Sequence, residues 1–180
     1  MEEIMKKLSV ILLTGLLVQI TAVAAQTKDV EVKMRNVKPF HFVYYEFTGP
    51  YSESFKNFLN LKKFLVKRGE KTGDKSVGIF FDDPKVTPPS KLRSHIGCMV
   101  SKQLKLEGEF KYKFIPGFKA VSARYTSFAD IEKTWNALVK YTAKMNLMIT
   151  GPGFEFYTHH KDPKIVDAEC LLPVIQLRKK

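Results

Sequence analysis

Carboxylates alternate with apolar side chains in two segments near the end of the chain, and this alternation could build a charged ligand site. In residues 166–172 every second side chain, from Val166 to Leu172, is apolar, which is the period of a β-strand with one face in a core. Asp167, Glu169 and Leu171 would then share the opposite face. A carboxylate among aromatic rings loses solvation and attracts a delocalised cation. Glu169 is therefore a candidate for a residue that binds a delocalised cation, with an ion pair to a basic side chain as its alternative.

The other segment, residues 154–157, alternates two phenylalanines with Glu155 and Tyr157. If the phenylalanines pack under a helix, Glu155 and Tyr157 share the face of Glu169. An aromatic lining with few polar groups is typical of small-molecule sites. In an enzyme, Glu169 would act as general base on a water, and Tyr157 would orient that water or donate a proton. Five further side chains are candidates for the lining, and plain packing is an equal interpretation of each: Tyr44, Ile79, Phe81, Met99 and Leu171.

The histidines and cysteines do not form a pattern that holds a metal or a cofactor. His95 and Cys98 are three residues apart, which places them on opposite faces of a strand. The histidine pair at residues 159–160 has no cysteine nearby, and no histidine is set apart as a haem ligand. We therefore expect no metal and no cofactor. Cys98 and Cys170 occupy equivalent positions of two similar strands, so a pair of core thiols and a disulfide both remain open.

These residues need a scaffold, and the pattern of the chain predicts one that is repeated, over about residues 28–105 and 106–178. Each half has a strand, a helix, a short aromatic strand and a closing strand with alternating apolar residues. In the second helix, apolar side chains recur at helical spacing, and the place of Trp135 on that stripe favours the core over a ligand. The pattern predicts an α+β fold: an antiparallel sheet with two helices on one face and a ligand cleft on the other.

The sequence resembles the GyrI-like family of small-molecule-binding domains in four stretches: residues 48–51, 78–84, 92–93 and 168–174. The resemblance extends over about residues 30–176, and it implies a duplicated domain with a ligand cleft between the repeats. It also implies that an acidic residue in the cleft attracts cationic aromatic compounds. Glu169 matches that position, and the resemblance therefore makes it the first candidate for the site. Some relatives are hydrolases of strained natural products. Others regulate transcription through a DNA-binding segment, for which no part of this sequence is a candidate.

The first residues have the three parts of a secretory signal. Lys6 and Lys7 precede an apolar stretch over residues 8–25, which ends in small residues before Gln26. Residues 1–25 are therefore expected to form a cleaved signal peptide or a retained membrane anchor. Residues 26–180 would then be an exported domain in the periplasm or envelope.

Basic residues outnumber acidic ones, 30 to 18, for a formal net charge of +12. Such a charge keeps a protein soluble, and it also favours anionic partners such as a membrane surface. No recognisable nucleic-acid-binding module accompanies the charge, so we expect no nucleic-acid partner. Three functions remain open. They are an exported protein that binds an amphipathic, cationic aromatic molecule, a small hydrolase with the same cleft, and a module that acts at a membrane surface or on another protein.

Overall fold

Nine strands and two α-helices form from the residues that the structure, a computed structural model, describes: 29–160 and 166–177. The expected signal segment, residues 1–25, lies outside them. Within the described residues no helix is long and apolar enough to cross a membrane. The helices are α1 Phe58–Lys67 and α2 Ile131–Lys144. The strands are β1 Lys33–Val37, β2 Phe40–Thr48, β3 Thr72–Phe80, β4 Arg93–Val100, β5 Lys111–Ile115, β6 Phe118–Tyr125, β7 Leu147–Ile149, β8 Gly153–Thr158 and β9 Ala168–Gln176.

Each helix buries one apolar stripe against the sheet. In α1, Leu61 and Leu65 are fully buried, and in α2 Leu138 is fully buried. The chain leaves α1 through Gly69, whose φ of 70° lies in the left-handed region that glycine adopts without steric cost. Ser127 begins the turn before α2, and its hydroxyl accepts a hydrogen bond from the backbone N–H of Ala129.

The strands form one antiparallel sheet whose order is symmetric about its centre. Eight strands run in the order β1-β6-β9-β8-β3-β4-β2-β5, and the short β7 pairs with the end of β9. The counterparts in the two repeats are β1 and β5, β2 and β6, β3 and β8, and β4 and β9. If each strand is replaced by its counterpart, the order is the same when read from the other end. The outer strands are exchanged, because β1 pairs with β6 of the second repeat and β5 pairs with β2 of the first. The predicted strand-helix-strand-strand unit therefore occurs twice within one continuous sheet.

Both helices lie on one face of this sheet, as predicted. α1 packs on a cluster that includes Ile96 and Cys98, and α2 packs on a cluster that includes Ala168 and Cys170. The faces predicted for β4 and β9 are thereby confirmed. Cys98 and Cys170 are free thiols, each buried beneath its own helix.

The opposite face, called the inner face from here on, is filled, and this corrects the prediction of an open cleft there. The sheet curls around a cluster of buried side chains from seven strands, the outermost strands β1 and β5 included. Phe42 is fully buried there, and Phe118 packs on Phe154 with ring centroids 4.9 Å apart. The physical reason is twist: a strongly twisted sheet curls until side chains of distant strands meet across its concave side.

Tyr51, Asp82 and Arg93 form a hydrogen-bonded cluster in the first repeat, called the latch, which joins the turn after β3 to the start of β4. The carboxylate of Asp82 accepts from the guanidinium of Arg93 at 2.8 and 3.0 Å and from the backbone N–H of Arg93 at 2.7 Å. The hydroxyl of Tyr51 donates to the carbonyl oxygen of Asp82 at 2.8 Å. Three of the four stretches that resemble the GyrI-like family meet in this latch, so these residues have a structural role.

Gly97 allows a close approach of two strands. It lies in the middle of β4 opposite Tyr44 on β2, and a side-chain carbon at this position would overlap the carbonyl oxygen of Val43.

We expect Gly97→Ala to lower the free energy of unfolding by about 3 kcal/mol or more, the upper range for overpacking, in urea unfolding followed by circular dichroism. Gly151→Ala is the control, because its added carbon would make only an ordinary contact, 3.7 Å from Pro173. Equal stability of the two variants would contradict this prediction.

Candidate functional site

Glu155 is a buried carboxylate surrounded by hydrogen-bond donors. It lies on the helix face of β8, and only 4% of the residue is exposed. Its Oε1 atom accepts from the indole N–H of Trp135 at 2.8 Å and from the thiol of Cys170, whose sulfur lies 3.7 Å away. Its Oε2 atom accepts from the hydroxyl of Tyr125 at 3.2 Å and from the hydroxyl of Tyr157. This arrangement suits an ionised carboxylate, which has acceptors only.

Four elements of the second repeat position these donors. β6 supplies one tyrosine, β8 the other, β9 the thiol and α2 the indole. Gly153 lets α2 approach the sheet closely, because a side-chain carbon there would lie only 2.7 Å from the ring of Trp135. The indole therefore rests on the backbone of β8, two residues from Glu155 and on the same face.

The first repeat borders the site on its other side. Phe55, which precedes α1, packs edge-on against Tyr157 with ring centroids 5.0 Å apart. The residue paired with Glu155 across β3 is Gly78, and the ring of Phe80 lies over that glycine. The carboxylate therefore lies at the junction of the repeats, where β3 pairs with β8, and it is bordered by aromatic rings from both halves.

The charge of Glu155 has no basic partner in the part of the chain that the structure describes. The arginines of β1 and β6 pair with other carboxylates. Desolvation of a carboxylate is costly, and here only neutral donors offset it. Burial, together with the charge of Glu155, raises the pKa of Tyr125, Tyr157 and the Cys170 thiol well above their ordinary values. All three groups therefore remain protonated donors at physiological pH.

The structure divides the eight predicted site residues between the two faces of the sheet. Ile79 and Leu171 are buried on the inner face, and Tyr44 stacks on His95 there with ring centroids 4.5 Å apart. This is the packing that the sequence analysis left open as an alternative, and a role of these residues in ligand binding remains a prediction. Six of the eight lie on the inner face: Tyr44, Ile79, Phe81, Met99, Glu169 and Leu171.

Glu169, the first candidate from the sequence, has a partner within the chain. It forms an ion pair with Arg35 from β1, and the same guanidinium lies 5.8 Å from the ring centroid of Phe156. The carboxylate of Glu169 is thus neutralised, whereas that of Glu155 is not. The geometry therefore favours Glu155 as the acidic residue of the site, and a role for Glu169 remains a prediction.

Glu155 and Tyr157 lie on the helix face, so the expectation that they share the face of Glu169 is wrong. The phenylalanines of β8 do not pack under a helix, because they fill the inside of the curled sheet. Sequence reasoning also favours the core over a ligand for Trp135, and it passes over Tyr125. A signal for both was present, since a buried indole N–H or phenol O–H needs an acceptor and Glu155 is a nearby acidic residue on an apolar strand.

Comparison with known families places this geometry in context. The family model described as GyrI-like small molecule binding domain matches residues 30–175. The chain belongs to this GyrI-like family. The match confirms the resemblance seen in the sequence, and small-molecule binding is the general function that it supports for this GyrI-like domain. No curated protein matches the chain in sequence.

Solved structures share the GyrI-like fold at low sequence identity, so the likeness shows the fold alone. The C-terminal domain of EcmrR is 15% identical with a TM-score of 0.72, and the match covers 82% of this chain and 99% of that one. In a complex of EcmrR with DNA the TM-score is 0.73 at 14% identity, with 83% and 59% covered. A hydrolase from Listeria innocua has a TM-score of 0.57 at 12% identity, with 81% and 92% covered. SAV2435, bound to tetraphenylphosphonium, has a TM-score of 0.52 at 11% identity, with 81% and 94% covered.

The raised pKa values of the tyrosines around Glu155 should make the stability of this GyrI-like domain depend on pH in the alkaline range. An unfolded tyrosine ionises near pH 10, whereas in the fold the pKa of Tyr125 and of Tyr157 is raised. As the pH rises, the unfolded state therefore loses protons first, so this contribution to stability is complete below about pH 10 and is lost above it. We expect the melting temperature to fall as the pH rises above about 10, and Tyr157→Phe to make this fall less steep.

The control for this measurement is Tyr141→Phe, which changes a partly buried tyrosine of α2 that makes no hydrogen bond to Glu155. Its melting temperature should depend on pH as that of the wild type does. A wild-type dependence in Tyr157→Phe as well would contradict the prediction.

Proposed function

We propose that the protein binds a cationic, aromatic small molecule whose charge is neutralised by Glu155. The observation that carries this proposal is a buried carboxylate with four neutral donors and no basic partner among the described residues. Membership of the GyrI-like family supports small-molecule binding in general. The charge and the aromatic character of the ligand are inferred from the surroundings of the carboxylate.

The surroundings of Glu155 favour a delocalised cation over a compact ammonium. A compact ammonium is strongly hydrated, whereas a charge spread over a large group gives up its water at lower cost. The rings of Tyr157, Trp135 and Phe55 offer π-faces and apolar edges that attract such a cation within a desolvated site. An aromatic group on the ligand would also bury apolar area against these rings.

Ligand entry requires a rearrangement of side chains, because Glu155 is buried whereas Tyr157 and Trp135 are half-buried. We infer that Tyr157 rotates away from the carboxylate and opens a path between the two helices. Its hydrogen bond to Glu155 is then exchanged for the ion pair with the ligand. In the ligand-free protein the hydroxyl of Tyr157 donates a hydrogen bond to the carboxylate. This lowers the desolvation penalty of a buried carboxylate that has no cation bound.

The first ligand to test follows from a structural neighbour. SAV2435 is bound to tetraphenylphosphonium, an ion whose charge is shielded by aromatic groups. That property is the one that the site around Glu155 would select. A hydrolase from Listeria innocua shares the fold as well, so the experiment includes a test for turnover.

We expect tetraphenylphosphonium to bind the wild-type chain and to change the fluorescence of Trp135, its single tryptophan. Glu155→Gln removes the charge at constant shape and should weaken binding at least about tenfold, or roughly 1.4 kcal/mol. Glu169→Gln is the matched control and should change affinity by less than about threefold, since that carboxylate is paired with Arg35. Isothermal titration calorimetry measures each affinity. A loss confined to Glu169→Gln, or an equal loss in both variants, would reject Glu155 as the ligand's partner.

Neutral triphenylphosphine oxide separates charge recognition from apolar burial. It should bind the wild type and Glu155→Gln with similar affinity, because only the ion-pair contribution differs between them. Ester-bearing aromatic cations test for chemistry. Hydrolysis that stops in Glu155→Gln would support the hydrolase alternative, whereas binding without product supports a binding protein.

We also propose that the protein acts outside the cytoplasm, on the basis of the charged, apolar and small-residue parts of residues 1–25. Expression of the full chain in a bacterium should give a periplasmic product whose first residue, by N-terminal sequencing, lies near Gln26. A product that retains residues 1–25 in the membrane fraction would support the retained anchor. An intact product in the cytosol would contradict export.

A further inference from the structure

One end of the sheet is built from segments that contain no acidic residue. Asp and Glu are absent from residues 32–45, 110–129, 133–154 and 170–180, although the chain has 18 of them. These segments meet where β1 ends, β6 begins, and β7 pairs with the end of β9. At this place Gly117 lies against Val37 and Pro39, and the N–H of Leu177 donates to the carbonyl oxygen of Asn146 at 3.3 Å.

Apolar side chains are exposed at this end. Met148 on β7 and Ile175 on β9 are directly paired across the strands, and they are 45% and 49% exposed. Ile149 and Leu177 beside them are also exposed. A groove of about 390 Å³ runs next to this pair and connects it to the start of β6; it is lined by Gly117, Phe118, Lys119, Thr150, Val174, Ile175 and Gln176. A contiguous exposed apolar surface of this kind marks an interaction site more often than isolated apolar residues do.

Three lysines lie in the segments that meet at this end. Lys38 precedes β2, Lys119 lines the groove, and Lys144 is the last residue of α2. All three are exposed, and within residues 29–160 and 166–177 none of them forms an ion pair. The sequence continues after Leu177 with Arg178-Lys179-Lys180. The basic end, defined as Lys38, Lys119, Lys144 and the exposed Met148, Ile149, Ile175 and Leu177, thus combines positive charge with apolar side chains.

A second exposed patch provides a comparison. On α1, Leu59 and Val66 are exposed among lysines. Acidic residues accompany that patch, since Glu53 pairs with Lys56 and Glu70 pairs with Lys102. Its charge is therefore partly neutralised by the protein, unlike that of the basic end.

We propose that the basic end docks on the surface of an anionic lipid membrane. Unpaired lysines would contact lipid phosphates, and Met148 and Ile175 would enter the boundary between headgroups and acyl chains. A nucleic acid would use the lysines but would leave the exposed apolar side chains in water, so lipid fits the whole surface better. The proposal is independent of the ligand site, because the basic end shares no residue with the surroundings of Glu155.

A fluorescent label at the surface tests this directly. Ile175→Cys in the processed chain, residues 26–180, is labelled with an environment-sensitive nitrobenzoxadiazole group, and Leu59→Cys in the same chain is labelled as the control. Without residues 1–25 the apolar stretch 8–25 cannot itself bind the vesicles. The native cysteines, Cys98 and Cys170, are fully buried and so do not compete for the label. With vesicles of phosphatidylcholine and phosphatidylglycerol in equal parts, emission of the label at position 175 should shift to the blue, while that at position 59 should stay unchanged. Vesicles of phosphatidylcholine alone should leave both unchanged.

Charge removal gives a second measurement on the same labelled protein. Lys119→Gln with Lys144→Gln should weaken vesicle binding roughly 30-fold, at about 1 kcal/mol for each basic residue near an anionic surface. Salt at about 1 M, where the Debye length is about 3 Å, should weaken wild-type binding as well. Equal affinity of this variant and the wild type would contradict an electrostatic contribution of the basic end.

The remaining outcomes each overturn the proposal in a recognisable way. A shift at position 59 without one at position 175 would place the membrane contact on α1. Water-like emission at position 175 on vesicles that have bound the protein would show that the basic end stays in solution. A blue shift without vesicles that grows with protein concentration would assign the surface to a second copy of the chain. A shift caused by duplex DNA but not by vesicles would assign it to a nucleic acid.

Discussion

Strict alternation of side chains in a sheet that is covered on both faces is the constraint on which this fold depends. Each position of a central strand must face either the aromatic cluster inside the curl or the helices. A slip of β8 by one residue would move Glu155 into the aromatic cluster and a phenylalanine under α2. The four donors around Glu155 and the rings of the inner face therefore stabilise the same register of β8. Ligand chemistry and core packing are thus linked through one strand.

The duplicated scaffold carries only one carboxylate at its centre. Ser76 pairs with Cys98 as Glu155 pairs with Cys170, so the first repeat has a small hydroxyl where the second has an acid. By the same correspondence, Gly78 takes the place of Tyr157. A second carboxylate at position 76 would lie opposite Tyr157 and diagonal to Glu155 across β3 and β8, and the two charges would repel in a desolvated site. The difference between the repeats thus makes room for one charge and for the aromatic rings that surround it.

Local patterns predict much of this fold, and they fail where a decision depends on distant residues. The α+β class, the repeated element order and the faces of β4 and β9 follow from apolar periodicity in short segments. Residues 154–157 alternate equally well in either phase, so nothing local decides which side of β8 faces the helices. The curl of the whole sheet decides it. The ion pair of Glu169 also depends on a distant residue, because its partner Arg35 lies 134 residues away in sequence.

The exchange of outer strands between the repeats has a consequence for how the chain reaches its native state. During synthesis β1 emerges long before β6, the strand with which it pairs, and β2 must wait for β5. An early half therefore presents unpaired strand edges and part of an aromatic interior to water. Such an intermediate is prone to trade strands with another copy of itself. Translocation across a membrane in an extended form, or a chaperone that holds the first half, would postpone that encounter until the second half is available to complete the sheet.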